Sequence, residues 1–400
     1  MTHVDFVVSR IPVREMAEMG QQLRNYFSYL SRKCGFDAGA TAAIFRDEST
    51  FIESSPMSEA YLTKPSLIVV VDTEEEFDWA QPFSRDATGV GHIRDQEKAQ
   101  RLFDRYNVRP TYVIDYPVAS QEAAFRPLGE WFGEGRCGLG AHLHPWVNPP
   151  FEEEVSRFNS FPGNLAPSVE RAKLTQLSET IERNLGYRPT IYRAGRYGIG
   201  PETAAILSDL GYQIDTSLAP YTDHSGDGGP NFSRLSRTPF WFGPGRRLLE
   251  IPLTVDWCGL LRQLGASLGP HLMSRAGMKI HLPELLSRFG LLERIHLSPE
   301  GMDFAELKRL TETLLARGTR VFVFSYHSPS LAPGNTPYVR NAAELAQFLG
   351  KIDQYCEFFL GTCGGTSISP HDLRLAMIQA GYPGGVTSEL RRELVITAPS

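Results

Sequence analysis

Leu67-Ile68-Val69-Val70-Val71-Asp72-Thr73-Glu74 is the stretch that decides the fold. Five apolar residues in succession, four of them β-branched, carry no polar alternation. That is the signature of a strand buried on both faces, as in a parallel sheet covered by helices. The carboxylates begin where the apolar run stops. Side chains alternate along a strand, so Asp72 and Glu74 point the same way. Two carboxylates on one face are costly without a cation or a basic partner.

The same grammar repeats outward from this point. Short apolar runs at 111–114, 139–144, 190–192, 212–214, 248–251, 294–297, 321–324 and 358–360 read as further strands. Between them, 93–106, 168–184, 201–210, 304–317 and 341–355 carry apolar residues at helical spacing. Strands alternating with helices predict βαβ units and a parallel sheet. Seven to nine such units favour an α/β barrel, closed or incomplete.

Residues 1–64 read as an N-terminal extension, partly helical, with Met16, Met19, Leu23, Phe27 and Leu30 at spacings of three and four. The barrel is expected over 65–365, with an insertion at about 220–290 and a C-terminal tail at 366–400. Within the insertion, 220–247 is rich in Gly, Pro, Ser and Asp and reads as a loop, and 263–289 as a helical pair.

Composition narrows the function by exclusion. The 400 residues are 42% hydrophobic and 22% charged, enough apolar content for a large core. A net charge of −6 offers no footprint for a nucleic-acid backbone. No apolar run approaches the roughly 18 residues that span a bilayer. Met1-Thr2-His3-Val4-Asp5 lacks a basic region followed by an apolar one, and the five cysteines form no CxxC pair. A cytoplasmic protein is expected.

The polar residues of interest collect at strand ends, where sites form in parallel α/β folds. His142 and His144 in Gly140-Ala141-His142-Leu143-His144-Pro145-Trp146 lie two apart on one face. A lone strand histidine is ordinarily a satisfied polar residue. Two on one face, with a carboxylate, match a metal site that keeps positions open for water and substrate. Arg193, in Tyr192-Arg193-Ala194-Gly195-Arg196-Tyr197-Gly198, can hold Asp72 ionised. The glycine-containing turn after it could aim backbone N–H groups at an oxyanion. Asp215 follows another strand, and His327, in Tyr326-His327-Ser328-Pro329, stands where a general acid or base would. His296 is a weaker candidate, with packing or surface exposure the simpler account.

Taken together, Val71-Asp72-Thr73-Glu74-Glu75, Gly140 to Pro145, Tyr192 to Gly198 and His327-Ser328-Pro329 resemble the polysaccharide deacetylases of the NodB-homology superfamily. The nearest branch in this pattern is the WalW-like, exopolysaccharide-deacetylase-like one. The resemblance implies a distorted (β/α) barrel of about seven parallel strands. It also implies one divalent metal ion, zinc, and an acetylated sugar or polysaccharide as substrate. It further implies Asp72 as catalytic base and Glu74, His142 and His144 as metal ligands. Arg193 would pair with the base, the Tyr197 backbone would serve the oxyanion, and His327 would protonate the leaving group. Asp215 would orient that histidine. Trp146 and Arg196 are expected at the substrate, and Trp79, Trp241 and Trp257 are further aromatic candidates.

Two departures stand out. The family spaces its histidines as His-x-x-x-His, but position 146 is Trp146; Glu74 replaces the commoner aspartate. Two alternatives therefore stay open. One is a binuclear metallo-amidohydrolase barrel. The other is a catalytically impaired, carbohydrate-binding barrel without metal. A two-carboxylate glycosidase has little support, since Asp72 and Glu74 are too close in sequence to straddle a glycosidic bond. GxSxG, Walker and GxGxxG motifs are missing.

Overall fold

The computed structural model describes residues 62–381 apart from 79–80, 274–278 and 280. Trp79 and nearly all of the expected N-terminal extension lie outside the described residues.

Eleven strands are described: β1 (Ser66–Thr73), β2 (Thr111–Ile114), β3 (Gly138–Leu143), β4 (Ile191–Ala194), β5 (Ile214–Asp215), β6 (Phe240–Phe242), β7 (Leu248–Glu250), β8 (Val255–Cys258), β9 (Glu293–His296), β10 (Val321–His327) and β11 (Thr366–Ser367). The helices are α1 (Gln96–Arg105), α2 (Tyr116–Ser120), α3 (Glu122–Gly133), α4 (Pro167–Leu185), α5 (Thr203–Asp209), α6 (Gly265–Leu272), α7 (Leu282–Arg288), α8 (Phe304–Ala316), α9 (Ala342–Glu357) and α10 (Pro370–Gln379).

The main sheet runs β10-β1-β2-β3-β4-β5-β7-β6, with β11 beside β1. Its first seven strands are joined by parallel pairing, and only β6 runs antiparallel, against β7. β6 and β10 end the order unpaired with each other, so the sheet is a curled, incomplete barrel. This is the distorted (β/α) barrel expected above. Of the described residues, Asp256–Ile295 form one compact unit, and the residues before and after it form the other. The smaller unit holds most of the β8–β9 ladder with α6 and α7. No helix among the described residues is long and apolar enough to cross a membrane.

The uninterrupted apolar run of β1 is buried along its whole length. Alternation sorts it into two faces. Ile68 and Val70 join Val113, Ile191, Ile214, Leu249 and Val323 in one core cluster. Continuing each column by two residues reaches chemistry: Ile68-Val70 leads to Asp72, Ile191 to Arg193, and Val321-Val323 to Ser325 and His327. The apolar core is thus the lower storey of the candidate site. Asp72 is the register partner of His327, and His142 that of Arg193.

Four expectations from the sequence are revised. Residues 358–360 are not a strand but part of a π-helical turn, Phe358–Thr362, continuing α9. Phe358 and Phe359 are buried, and Phe359 packs edge-on to Phe322, so the run is apolar because that helical face is covered. β6 and β7 belong to the main sheet although they fall inside the expected insertion. α2 and α3 fill a stretch where no helix was expected. The expected tail supplies β11 and α10, and Leu373, Met377 and Ile378 of α10 enter the core cluster around β1.

Candidate functional site

Glu74, just past β1, His142 at the end of β3 and His144 just beyond it bring three donor atoms together. Glu74 Oε2 lies 3.3 Å from His142 Nε2 and 3.4 Å from His144 Nε2. All three residues are buried, and one donor atom from each lies within 4.8 Å of the others. Ligands about 2.0–2.1 Å from a tetrahedral zinc are about 3.3–3.4 Å apart, so the spacing fits such an ion. The two-residue histidine spacing therefore brings both rings to one carboxylate.

The outer ring nitrogens are spoken for. His142 Nδ1 lies 3.1 Å from the carbonyl oxygen of Arg193, which can only accept, so Nδ1 carries the proton and Nε2 a lone pair. His144 Nδ1 faces Glu75 Oε2 at 2.7 Å. Burial lowers both imidazoles to about 4, which keeps them neutral, as ligands must be. Burial raises Glu74 to about 7, against the opposing pull of His327 and His144. Gly195 makes room: a Cβ there would collide with Leu143 O and the His144 ring.

Glu75, the next residue after Glu74, is fully buried. Its Oε1 accepts from Trp146 Nε1 at 2.8 Å, and its backbone N–H donates to Asp115 Oδ2 at 2.7 Å. Glu75, Asp115 and His144 form a second group of potential ligands. Asp115 also caps α2 through Val118 N, at 2.8 Å. That group is closed by its own hydrogen bonds and acts as a support for His144. Trp146 belongs to the same support. It is 2% exposed and stacks on His144 at 4.2 Å, so it offers no face to a sugar, contrary to expectation.

Asp72 and Arg193 form a buried ion pair, and Arg193 Nη1 also donates to Ser325 Oγ at 2.8 Å. Arg193 Nε is held by Thr216 O and Oγ1, at 3.0 and 2.9 Å. Burial pushes the Asp72 carboxyl up. Arg193, His142 and His327 outweigh it, leaving Asp72 below the usual carboxylate range. It is a buried carboxylate kept ionised.

His327 Nε2 stands 3.6 Å from Asp72 Oδ2. On its other side Nδ1 meets Glu300 Oε2 at 2.7 Å. Glu300 also accepts from the His327 backbone N–H at 3.1 Å and from Ser330 Oγ. Burial lowers the imidazole, but Glu300, Glu74 and Asp72 raise it well above its ordinary value. The ring is protonated at neutral pH.

Glu300, not Asp215, orients His327. Asp215 accepts from Ser217 Oγ and N, and Ser217 Oγ in turn accepts from Ala194 N at 2.8 Å. Its register partner is Glu250, which accepts from Leu218 N at 3.0 Å. Asp215 thus braces the segment carrying Arg193, on β4 and β5, away from His327. A cue for Glu300 was available: it follows the strand expected at 294–297, just past the strand end.

Arg196 and Tyr197 line a pocket of about 300 Å³ with Asp72, Glu74, His142, His144, His224 and His327. Both have left-handed φ, 53° and 59°, a strained turn of the kind found at functional sites. Arg196 does not offer a free guanidinium, as a substrate role had suggested. It reaches Ser160 Oγ at 2.6 Å and Asp227 at 2.8 Å, and lies over the Phe161 ring at 4.1 Å. It forms a wall of the pocket. Of the other aromatic candidates, Trp241 and Trp257 are buried and do not line it.

No protein-family model and no curated protein matches the chain. Among solved structures it is similar to Puue allantoinase, with 15% identity over 82% of this chain and 96% of that one, at a TM-score of 0.49. It is also similar to a Mycobacterium smegmatis protein assigned as a polysaccharide deacetylase, with 15% identity, 81% and 94% coverage and a TM-score of 0.45. A third is the peptidoglycan deacetylase PdaC from Bacillus subtilis, with 11% identity, 83% and 98% coverage and a TM-score of 0.38.

Proposed function

We propose that this protein is a metal-dependent hydrolase that removes acetyl groups from a sugar or polysaccharide. The observation that carries the metal-dependent part is the Glu74–His142–His144 donor set beside an ionised Asp72 and a protonated His327. The acetyl and carbohydrate part rests on the resemblance of the four strand-end segments to polysaccharide deacetylases.

Glu74, His142 and His144 would hold one divalent ion, zinc being the choice that suits two imidazoles and a carboxylate. Bound there, the metal supplies a Lewis acid for an acyl oxygen and lowers the pKa of a coordinated water. Asp72, kept ionised by Arg193, accepts the proton that the attacking water loses. The strained Arg196–Tyr197 turn lines the pocket, and its backbone N–H groups would be the donors available to negative charge developing on the acyl oxygen. His327 donates its Nε2 proton to the departing amine or alcohol, and Glu300 stabilises the imidazolium until then.

The metal-free binding barrel was favoured by irregular histidine spacing. Convergence of both Nε2 atoms on Glu74 removes that motive. The binuclear alternative needs a second open site, and the Glu75–Asp115 group is already hydrogen-bonded to itself.

Metal analysis tests this reading directly. Zinc-loaded protein is expected to retain about one ion per chain and to release acetate from acetylated oligosaccharides. Asp72→Asn should keep the ion and lose acetate release by at least about a hundredfold. A protein that binds no divalent ion, or an Asp72→Asn variant at full activity, contradicts the mechanism.

A further inference from the structure

Three acidic residues follow β1 in succession, and each has a different destination. Glu74 belongs to the donor set, and Glu75 braces His144. Glu76 does neither. Its Oε1 accepts from His92 N at 2.8 Å and faces His92 Nδ1 at 3.3 Å. Its own backbone N–H donates to Gly89 O at 2.7 Å, which fixes it against the segment leading to the short helical turn Gly91–Asp95. A carboxylate oxygen accepts, so His92 Nδ1 carries the proton and Nε2 a lone pair. Burial lowers this imidazole against the pull of Glu76, which keeps it neutral.

The His92 lone pair meets Ser328 Oγ at 2.8 Å. The hydroxyl donates there, which leaves its oxygen to accept the Glu74 backbone N–H, at 3.2 Å. The fold explains why a side chain is needed at this point. The β1–β10 register ends at Asp72 and His327. Ser328 then opens the helical turn Ser328–Leu331, and Pro329 has no N–H to continue a ladder. Glu74 lies past the last rung, and the Ser328 hydroxyl supplies the acceptor that β10 no longer offers. Ser328 is fully buried, with Glu74 and His92 2% exposed, so water does not stand in for it. The Glu76–His92–Ser328 chain has the connectivity of a nucleophilic triad. Ser328, however, is buried and does not line the pocket, so its hydroxyl meets no substrate there.

We infer that Ser328, oriented by His92 and Glu76, is a positioning residue that fixes the backbone from which Glu74 presents its carboxylate to a divalent ion. The inference rests on the metal-dependent reading above.

Zinc affinity, read by chelator competition at fixed pH, tests it. Ser328→Ala should bind zinc about 10–100-fold more weakly. Two His92 variants separate hydrogen bonding from packing. His92→Gln keeps an acceptor for the Ser328 hydroxyl and should stay within about threefold of the unsubstituted protein. His92→Phe keeps a ring without an acceptor and should weaken binding by about 10–100-fold. Packing alone predicts the reverse order. Unchanged affinity in Ser328→Ala, or His92→Phe binding as tightly as His92→Gln, overturns the inference. If Ser328→Ala does not fold, the His92 pair decides. An unsubstituted protein that binds no zinc overturns the metal-dependent reading instead. Hydrogen exchange of the Glu74 amide in metal-free protein then judges the positioning separately. Ser328→Ala and His92→Phe should each speed that exchange by about tenfold. An unchanged rate in both overturns it.

Discussion

Glu300→Gln is the substitution that separates the observed site from the one the sequence motifs suggest. Glu300 holds the protonated His327 through Nδ1 at 2.7 Å and has little exposure of its own. Glutamine keeps the size and one oxygen acceptor but removes the negative charge. A hydrogen bond to a charged group contributes about 1.5–3 kcal/mol. At 1.36 kcal/mol per pH unit, its loss lowers the His327 pKa by about one to two units. Asp72 and Glu74 remain nearby, so the shift is partial. The sign follows from the proton. On the proposed mechanism His327 acts in its charged form, which the folded protein favours by raising its pKa, so activity should fade as pH rises through that pKa. In Glu300→Gln the alkaline limb of the kcat/KM profile for acetate release should therefore move to lower pH by about one to two units. Above the new limb, the rate should fall about tenfold per pH unit. Asp215→Asn is the control. Asp215 is tied to Ser217, and its substitution should leave the limb in place. The reasoning is refuted if the limb stays put in Glu300→Gln, or if Asp215→Asn moves it as far.

Three further outcomes are expected. Glu75→Gln leaves His144 Nδ1 without its carboxylate, and chelator competition should read a zinc affinity about 10–100-fold weaker, against no change if Glu75 is mere packing. With Glu74 near 7 and both imidazoles near 4, zinc uptake at pH 5–7 should release about one proton, and log Kd should change by about one per pH unit; a slope near three would mean that the histidines are protonated in the metal-free protein. Lys173→Met should cost about 3–5 kcal/mol in denaturant unfolding, because the buried ammonium holds Pro145 O at 2.9 Å and Pro150 O at 2.7 Å and pairs with Glu153 at 3.1 Å; a loss under about 1 kcal/mol would show those carbonyls satisfied another way.

The β1 run was readable because burial on both faces leaves no choice but apolar residues, and its end marks where side chains reach the site. Asp72, Glu74, His142 and His144 were readable for the same reason: strand alternation alone places each pair on one side. Glu75 was not. Its odd position in the run points it away from Glu74, and only the third dimension shows that this side is roofed by Trp146 and Asp115. Glu300 carried only a positional cue, just past the strand expected at 294–297; its partner is set by where a loop folds back, and no periodicity records that. Asp215 was a sound candidate by position, but Ser217 and Glu250 intercept it. Residues 358–360 show the limit of reading short apolar runs, since a covered helical turn and a buried strand present the same letters.

The register pairing of Asp72 with His327 has a consequence for how this protein comes into being. Asp72 sits on the first described strand and His327 on β10, late in the chain. A nascent or truncated chain ending before residue 321 contains Glu74, His142 and His144 but not His327. Closing so long a span is entropically demanding and comes late when contacts are this distant. On the proposed mechanism, Asp72 and His327 can act together only once β10 has docked beside β1.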